Sequence, residues 1–242
     1  MKQEILDRAN GVAAYVCAIS IIIILLITSI DINCFNKDFF RSQYASLKTS
    51  EDLGMTDKDL NKATETLLDY LQDKREDIKV EITMKGTRQE AFNSKETAHM
   101  VDVKQLYQFA LVLRIVCGIL FVISFVYLLV RLKKGAFTLF SIDYMKVAVF
   151  FALVFTALAI WAFADFDTFW TSFHKIAFRN DLWLLDPATD LMINLFPAQF
   201  FSALVFRIVA MFAGSFILLF LGSYVFLRIR LNRMHEELQH EE

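Results

Sequence analysis

Four long apolar windows, a mean hydropathy of +0.45 and only 7 Gly and 2 Pro in 242 residues predict an all-α membrane protein. The expected architecture is four transmembrane helices with a small α+β extracellular cap domain and an interfacial helical loop. Hydrophobic residues make up 56% of the chain and 25 of its aromatics are Phe, a composition suited to lipid contact. A net charge of −2 argues against a nucleic-acid partner. Collagen-like, disordered and disulfide-rich classes do not fit this composition.

A helix needs about 20 mostly apolar residues to cross a bilayer. Gly11–Ile30, Phe109–Val130, Tyr144–Phe163 and Ala203–Leu227 meet that requirement. The first run is long for a signal-peptide core of roughly 7–15 residues, and Asn33 before Cys34 does not suit a lipid-attachment box, so the span reads as a retained anchor. Residues 1–30 then hold the cytoplasmic N-terminus and span one, and 31–108 the cap. Spans two and three with a short cytoplasmic loop occupy 109–163, the interfacial segment 164–202, and span four with a cytoplasmic tail 203–242.

Basic residues orient the spans. Lys2 and Arg8 precede span one, Arg131, Lys133 and Lys134 fill the loop after span two, and Arg228, Arg230 and Arg233 follow span four. These regions are expected inside, which puts the cap and the interfacial segment outside a cell membrane.

In the cap, Thr56 opens a helical pattern of Leu60, Ala63, Leu67, Leu68 and Leu71, with Asp57 and Asp59 suited to a helix N-terminus. Ile78, Val80, Ile82 and Met84 alternate with polar residues, as in a half-buried strand. Asn93 and Glu96 have capping-box spacing and start a helix that runs unbroken through His99 into span two. Acidic and basic residues are nearly balanced across the segment, which marks a solvated surface. In the second outer segment Phe166, Phe169, Trp170 and Phe173 repeat at helical spacing, as for an interfacial helix. Asp186-Pro187 reads as an N-cap and first turn of a short helix through Phe196, and Pro197 starts span four.

Candidate chemistry is sparse. The tail HEELQHEE places His235 and His240 five apart, roughly 140° around a helix, whereas zinc-protease ligands four apart differ by about 40°. It reads as a solvated end. His99 and His174 come from separate segments that topology puts on one side. Asp102 is on the His99 face, three residues on, and is able to orient the imidazole; the plainer reading of both histidines is polar interfacial residues. Arg114 and Arg207 sit just inside apolar spans, where a charge faces a cavity or partner or else snorkels to the headgroups. Asp31, Asp165 and Asp167 lie at their depth. Of Cys17, Cys34 and Cys117 only Cys34 reaches the outer side, so no outer disulfide forms within the chain. No nucleophile elbow or phosphate loop is present. Direct transfer by acid–base catalysis, a metal-dependent membrane hydrolase, catalysis through an acylated Cys34 and a non-enzymatic sensor or scaffold are the open readings.

ETAHMVDVKQLY, holding His99, and FHKIAFRNDLWLLDPATDLMINLFPAQFF, holding His174, resemble the lipoprotein intramolecular transacylases of Gram-positive bacteria. The likeness covers nearly the whole chain and its second motif is long and specific. It departs at Ala177-Phe178, where a second bulky aromatic is expected, which touches packing rather than chemistry. The resemblance implies a diacylglyceryl-modified lipoprotein as substrate and membrane phospholipid as surroundings. It implies transfer of the sn-2 acyl chain to the α-amine of the N-terminal Cys, leaving an N-acyl S-monoacylglyceryl lipoprotein. No cofactor and no metal is implied, and a monomer is favoured. His174 is expected as base and His99, oriented by Asp102, as oxyanion donor, with the two roles exchangeable. Arg207 and Arg114 are candidates for substrate or oxyanion binding. By the same resemblance Asn180, Asp181 and Asp186 organise the loop that carries His174; their plainer reading is helix capping and turn formation.

Overall fold

A computed structural model describes residues 2–240 of the chain; the Lys2 and His240 side chains and Glu241-Glu242, invoked above for the flanking charge and the tail, lie outside the described residues. Helix α1 (Lys2–Cys34) is followed by three short helices, α2 (Lys37–Leu47), α3 (Thr49–Leu53) and α4 (Asp57–Leu71), and by a hairpin of β1 (Glu81–Met84) and β2 (Thr87–Glu90). Helices α5 (Ser94–Leu132) and α6 (Gly135–Ala164) come next, then α7 (Phe166–Ala177), α8 (Leu191–Leu195) and α9 (Ala198–His240). Among the described residues α1, α5, α6 and α9 are long and apolar enough to cross a membrane. Each contains one of the expected apolar windows.

Contacts divide the chain into two compact units: Asp31–Leu111 with Trp161–Arg207, and the remaining helical segments. In the spanning unit, Ala14, Ala18, Ala136 and Ala148 are fully buried. Small side chains let helix backbones approach closely, which is how packing replaces the hydrophobic effect in lipid. Tyr144, Phe212 and Phe216 cluster with Ala18 and Ala148, and the Tyr144 hydroxyl donates to the Phe216 carbonyl at 3.1 Å.

The other unit is built on solvated-surface rules. Thr56 caps α4 by accepting from the Asp59 N–H at 3.1 Å, and Leu60, Ala63, Leu67 and Leu68 bury the apolar stripe. Asn36 caps α2 by accepting from the Phe39 N–H at 2.9 Å, and α2 turns Phe39, Phe40 and Tyr44 onto Phe200. The Tyr44 hydroxyl finds Thr64 Oγ1 at 2.7 Å, so its polar end is satisfied inside an aromatic cluster.

Two elements depart from expectation. The alternating run from Ile78 pairs as a strand only from Glu81 to Met84, although Ile78 and Val80 are buried. Alternation there reports burial, and the partner β2 is exposed at every position, so nothing in its pattern marks it. Lys85 and Gly86 both have positive φ, which makes the two-residue turn that this hairpin needs. Asp186-Pro187 opens a turn instead of a helix: Asp186 Oδ1 accepts from the Ala188 N–H at 2.9 Å and its carbonyl from the Asp190 N–H at 2.8 Å. Asp190 is extended, with its carboxylate turned back on the Asp186 N–H at 2.7 Å, so α8 starts only at Leu191.

Gly54 ends α3 at φ +62 while a Cβ there would meet Lys85 Cγ at 3.0 Å. Gly54→Ala should therefore cost about 1 kcal/mol or more, read as a lower thermal midpoint of the detergent-solubilised protein.

Candidate active site

His99 and His174 meet in one unit, with ring centroids 6.2 Å apart. His99 reaches this point because Asn93 and Glu96 start α5. The Asn93 side chain accepts from the Glu96 N–H at 3.0 Å and Glu96 accepts from the Asn93 N–H at 2.8 Å, the reciprocal capping box expected of this spacing. His99 follows one turn later. It lies ten residues before Phe109, where the apolar window begins, or roughly 15 Å along the helix.

His174 stands in the last turn of α7, whose start is capped by Asp165 accepting from the Thr168 N–H at 3.0 Å. Its Nδ1 is 2.8 Å from the Trp170 carbonyl. A carbonyl only accepts, so Nδ1 carries the hydrogen and Nε2 of the neutral ring carries the lone pair. Aromatic rings surround the imidazole: Trp170 at 4.9 Å, Trp183 at 5.0 Å, Phe173 at 5.4 Å and Phe178 at 5.6 Å between centroids. Phe178 also packs edge-on against His99 at 5.2 Å. A residue noted in the sequence for packing alone thus touches both histidines.

Burial sets the charge state of the pair. His99 is 6% exposed and its Nδ1 has no hydrogen-bond partner. Desolvation, reinforced by the neighbouring His174 and opposed by Asp102, lowers its pKa to about 4. Desolvation also lowers His174, with the Trp170 carbonyl acting in the opposite sense. Burial thus favours the neutral form of both rings.

Asp102 does not hold His99 as expected. Its carboxylate accepts from the Asn180 side-chain amide at 2.8 Å, and it reaches His99 only through its charge. Asn180 in turn accepts from the Leu182 N–H at 3.1 Å, so it both braces the loop and anchors Asp102. A cleft of about 340 Å³ is lined by Asp102, Gln105 and Asn180, and one of about 560 Å³ by Lys175, Asp181 and Trp183; Phe178, Arg179 and Asn180 form a wall common to both. Asp181 accepts from the Leu184 N–H through its backbone carbonyl at 3.1 Å, and Asp186 makes the turn described above.

The two arginines fall in different units. Arg207 belongs to the same unit as the histidines, where it donates to Asn33 at 3.2 Å and covers the Phe39 ring at 4.8 Å. Arg114 belongs to the spanning unit. Asp31 accepts from the Tyr107 hydroxyl at 2.6 Å. Cys34 ends α1 as a free thiol. Among the described residues no three His, Cys, Asp or Glu side chains are grouped to hold a metal ion.

Sequence reasoning missed two groups. Beyond the capping box, the second Glu96 oxygen accepts from the Met192 N–H at 2.6 Å. Asp190 gathers donors from Asn93, Asp186 and Thr189. Only the density of Asp and Asn between Asn180 and Asn194 hinted at such a network.

Comparison with known proteins follows the same lines. The sequence profile described as lipoprotein intramolecular transacylase matches residues 15–201. The in meso structure of a membrane-integral lipoprotein intramolecular transacylase from Bacillus cereus superposes with a TM-score of 0.73 at 20% identity, covering 94% of this chain and 99% of that one. Two forms of that protein, each with one histidine replaced, by arginine or by alanine, give TM-scores of 0.72 at 19% identity. They cover 96% and 97% of this chain, and 98% and 100% of theirs. No curated protein sequence matches.

Because the His99 pKa is depressed in the folded state, the unfolded chain binds more protons between about pH 4 and the ordinary histidine value near 6.5. Folding stability should fall as pH drops through that window. His99→Gln should flatten the dependence, measured as thermal midpoint against pH.

Proposed function

Because the chain belongs to the lipoprotein intramolecular transacylase family, and so is an acyltransferase of the membrane, we propose that it transfers the sn-2 acyl chain of a diacylglyceryl-modified lipoprotein to the α-amine of the N-terminal Cys by histidine acid–base catalysis. The observation that carries this reading is the desolvated pair His99 and His174, with a hydrogen on Nδ1 of His174 and a lone pair on Nε2.

An α-ammonium has a pKa of about 8 and has to lose a proton before it attacks. That proton goes to solvent, and His174 Nε2 takes a second one from the nitrogen as it bonds to the carbonyl carbon. Its place in the last turn of α7 supports the imidazolium that forms, because helix C-termini favour positive charge. The amine nitrogen attacks the sn-2 ester carbonyl and an oxyanion develops. His99, kept neutral by burial, donates an N–H to it; a neutral donor suits a site where an imidazolium would be costly. Collapse breaks the ester C–O bond, and the glyceryl oxygen leaves with the proton held by His174. The product is an N-acyl S-monoacylglyceryl lipoprotein with the total mass unchanged. Amine and ester belong to one molecule, so holding them in contact supplies a large part of the rate, on the order of 7–11 kcal/mol at best.

Asp102 contributes charge beside His99, and Asn180 fixes that carboxylate. Asn180, Asp181 and Asp186 shape the loop after α7. Arg207, exposed over Phe39, is suited to polar groups of the substrate near the headgroups; Arg114 is a second candidate for that role. The cytoplasmic side is that of Arg8, Lys133 and Arg230, which puts both termini inside and the histidines at the outer leaflet, where the lipoprotein and the surrounding phospholipid are presented to a monomeric enzyme.

The test is co-expression with a diacylated lipoprotein in a host lacking N-acylation, followed by fragmentation of the N-terminal lipopeptide. Wild type should yield fragment ions with acyl on the Cys nitrogen. His174→Ala and His99→Ala, at equal membrane abundance, should each lower that yield by roughly 100-fold or more, while Cys34→Ser should retain it. Unshifted acyl chains with folded wild type would reject the reading.

A further inference from the structure

We propose that Glu96 and Asp190 act together as positioning residues, a buried pair of carboxylates that ties the first turn of α5 to the loop after α7 and so sets the two histidines against each other. The inference rests on the transacylase reading of those histidines.

Glu96 is 1% exposed and Asp190 4% exposed, yet each is fully engaged. Glu96 closes the capping box with one oxygen and holds the N-terminus of α8 with the other, through the Met192 N–H at 2.6 Å. Asp190 accepts from the Asn93 side chain at 2.7 Å, from the Asp186 N–H at 2.7 Å and from the Thr189 hydroxyl at 3.1 Å. Lys95 adds a cation 3.5 Å from Asp190 and donates to the Leu184 carbonyl. Residues 93–96 therefore grip the chain at positions 184, 190 and 192.

Both ends of this grip lead to an imidazole. Along α5, His99 stands one turn beyond Glu96. Along the loop, Trp183 precedes Leu184 and packs against His174, ring centroids 5.0 Å apart. Loosening the grip at Leu184 and Asp190 frees the segment that carries Trp183, and with it one wall of the His174 site.

The arrangement is not an economical way to stabilise a fold. Burial raises Glu96, and the neighbouring Asp190 charge pushes the same way. Asp190 is held below the ordinary carboxylate range by the Asp186 N–H, with Asn93, Thr189 and Lys95 assisting. Replacing buried charge with well-packed apolar groups is often neutral or stabilising. What two carboxylates supply, and apolar groups do not, is a fixed set of directional bonds between segments far apart in sequence.

The experiment is a double-mutant cycle on the full-length protein in detergent micelles, with Glu96→Gln, Asp190→Asn and both together. The substrate is a synthetic diacylated lipopeptide, and kcat, KM and thermal midpoint are measured for each. Each single change should lower kcat by up to about 100-fold with KM nearly constant. The double variant should be little worse than the poorer single, because the pair acts as one unit. Independently of turnover, carbethoxylation of His99 and His174 by diethylpyrocarbonate, followed by peptide mass spectrometry, should be several-fold faster in each variant.

Folded variants with wild-type kcat and wild-type histidine reactivity would overturn the proposal. So would losses that multiply in the double variant and track the fall in thermal midpoint. Where Glu96→Gln does not fold, Lys95→Ala, at the exposed edge of the same tie, is the second variant and should show a smaller kcat loss with faster histidine modification. Inactive wild type with variants that still modify faster would overturn the transacylase reading and leave the positioning role standing.

Discussion

The Glu96 carboxylate ties the start of α5 to the start of α8. A helix start leaves backbone N–H groups without partners, and here one carboxylate serves two helix starts together: that of α5 through Asn93 and that of α8 through Met192. Local capping chemistry thereby becomes a tertiary tie between segments about 96 residues apart. Because α5 continues without a break, whatever fixes its first turn also fixes the direction in which His99 projects. The aromatic helix α7 has no buried residues of its own. It depends on its cap at Asp165, on the loop that follows it and on ring contacts, so the tie at Glu96 and Asp190 is where that loop gains a defined path.

Desolvation then decides what the histidines are able to do. Two imidazoles 6.2 Å apart in an apolar setting do not both hold a proton, and the deeper one, His99, is the more strongly depressed. His174 keeps a backbone acceptor at Nδ1, which raises its basicity relative to a bare buried ring and leaves Nε2 as the proton acceptor. His99 has no such partner at Nδ1. The proposed mechanism uses this asymmetry, with His174 as base and His99 as neutral donor.

The spans, the capping box of α5, the cap of α4 and the aromatic helix α7 were legible because each is written in local chemistry: apolar length, an Asn or Thr at the right offset, rings at helical spacing. The meeting of His99 and His174 was legible only as a consequence of topology. What stayed hidden depended on long-range partners. Asp102 was read by its offset from His99, but Asn180 competes for it from the far side of the loop. Asp186-Pro187 has the same first two residues whether a helix or a turn follows, and Asp190 decides the matter by taking the Asp186 N–H. The second strand is short and fully exposed, so it exists because β1 and the Lys85-Gly86 turn present an edge, not because of its own pattern.

An acyl transfer within one molecule competes with hydrolysis of the same ester, and the competitor is abundant water. The proposed reaction needs no second substrate, no covalent intermediate and no cofactor, so its fidelity rests on what the base is allowed to activate. A solvent-facing histidine would deprotonate water as readily as an amine. Around half-buried His174 stand Trp170, Phe173, Phe178 and Trp183, and Phe178 packs against His99 as well. Rings of that kind offer little hydrogen bonding to a resident water, whereas a lipid ester and the amine attached to it bring their own apolar mass into such a site. In the proposed reaction the rings that help depress both histidines also favour transfer over hydrolysis. Partial burial lowers the basicity of His174, and the Trp170 carbonyl returns part of it.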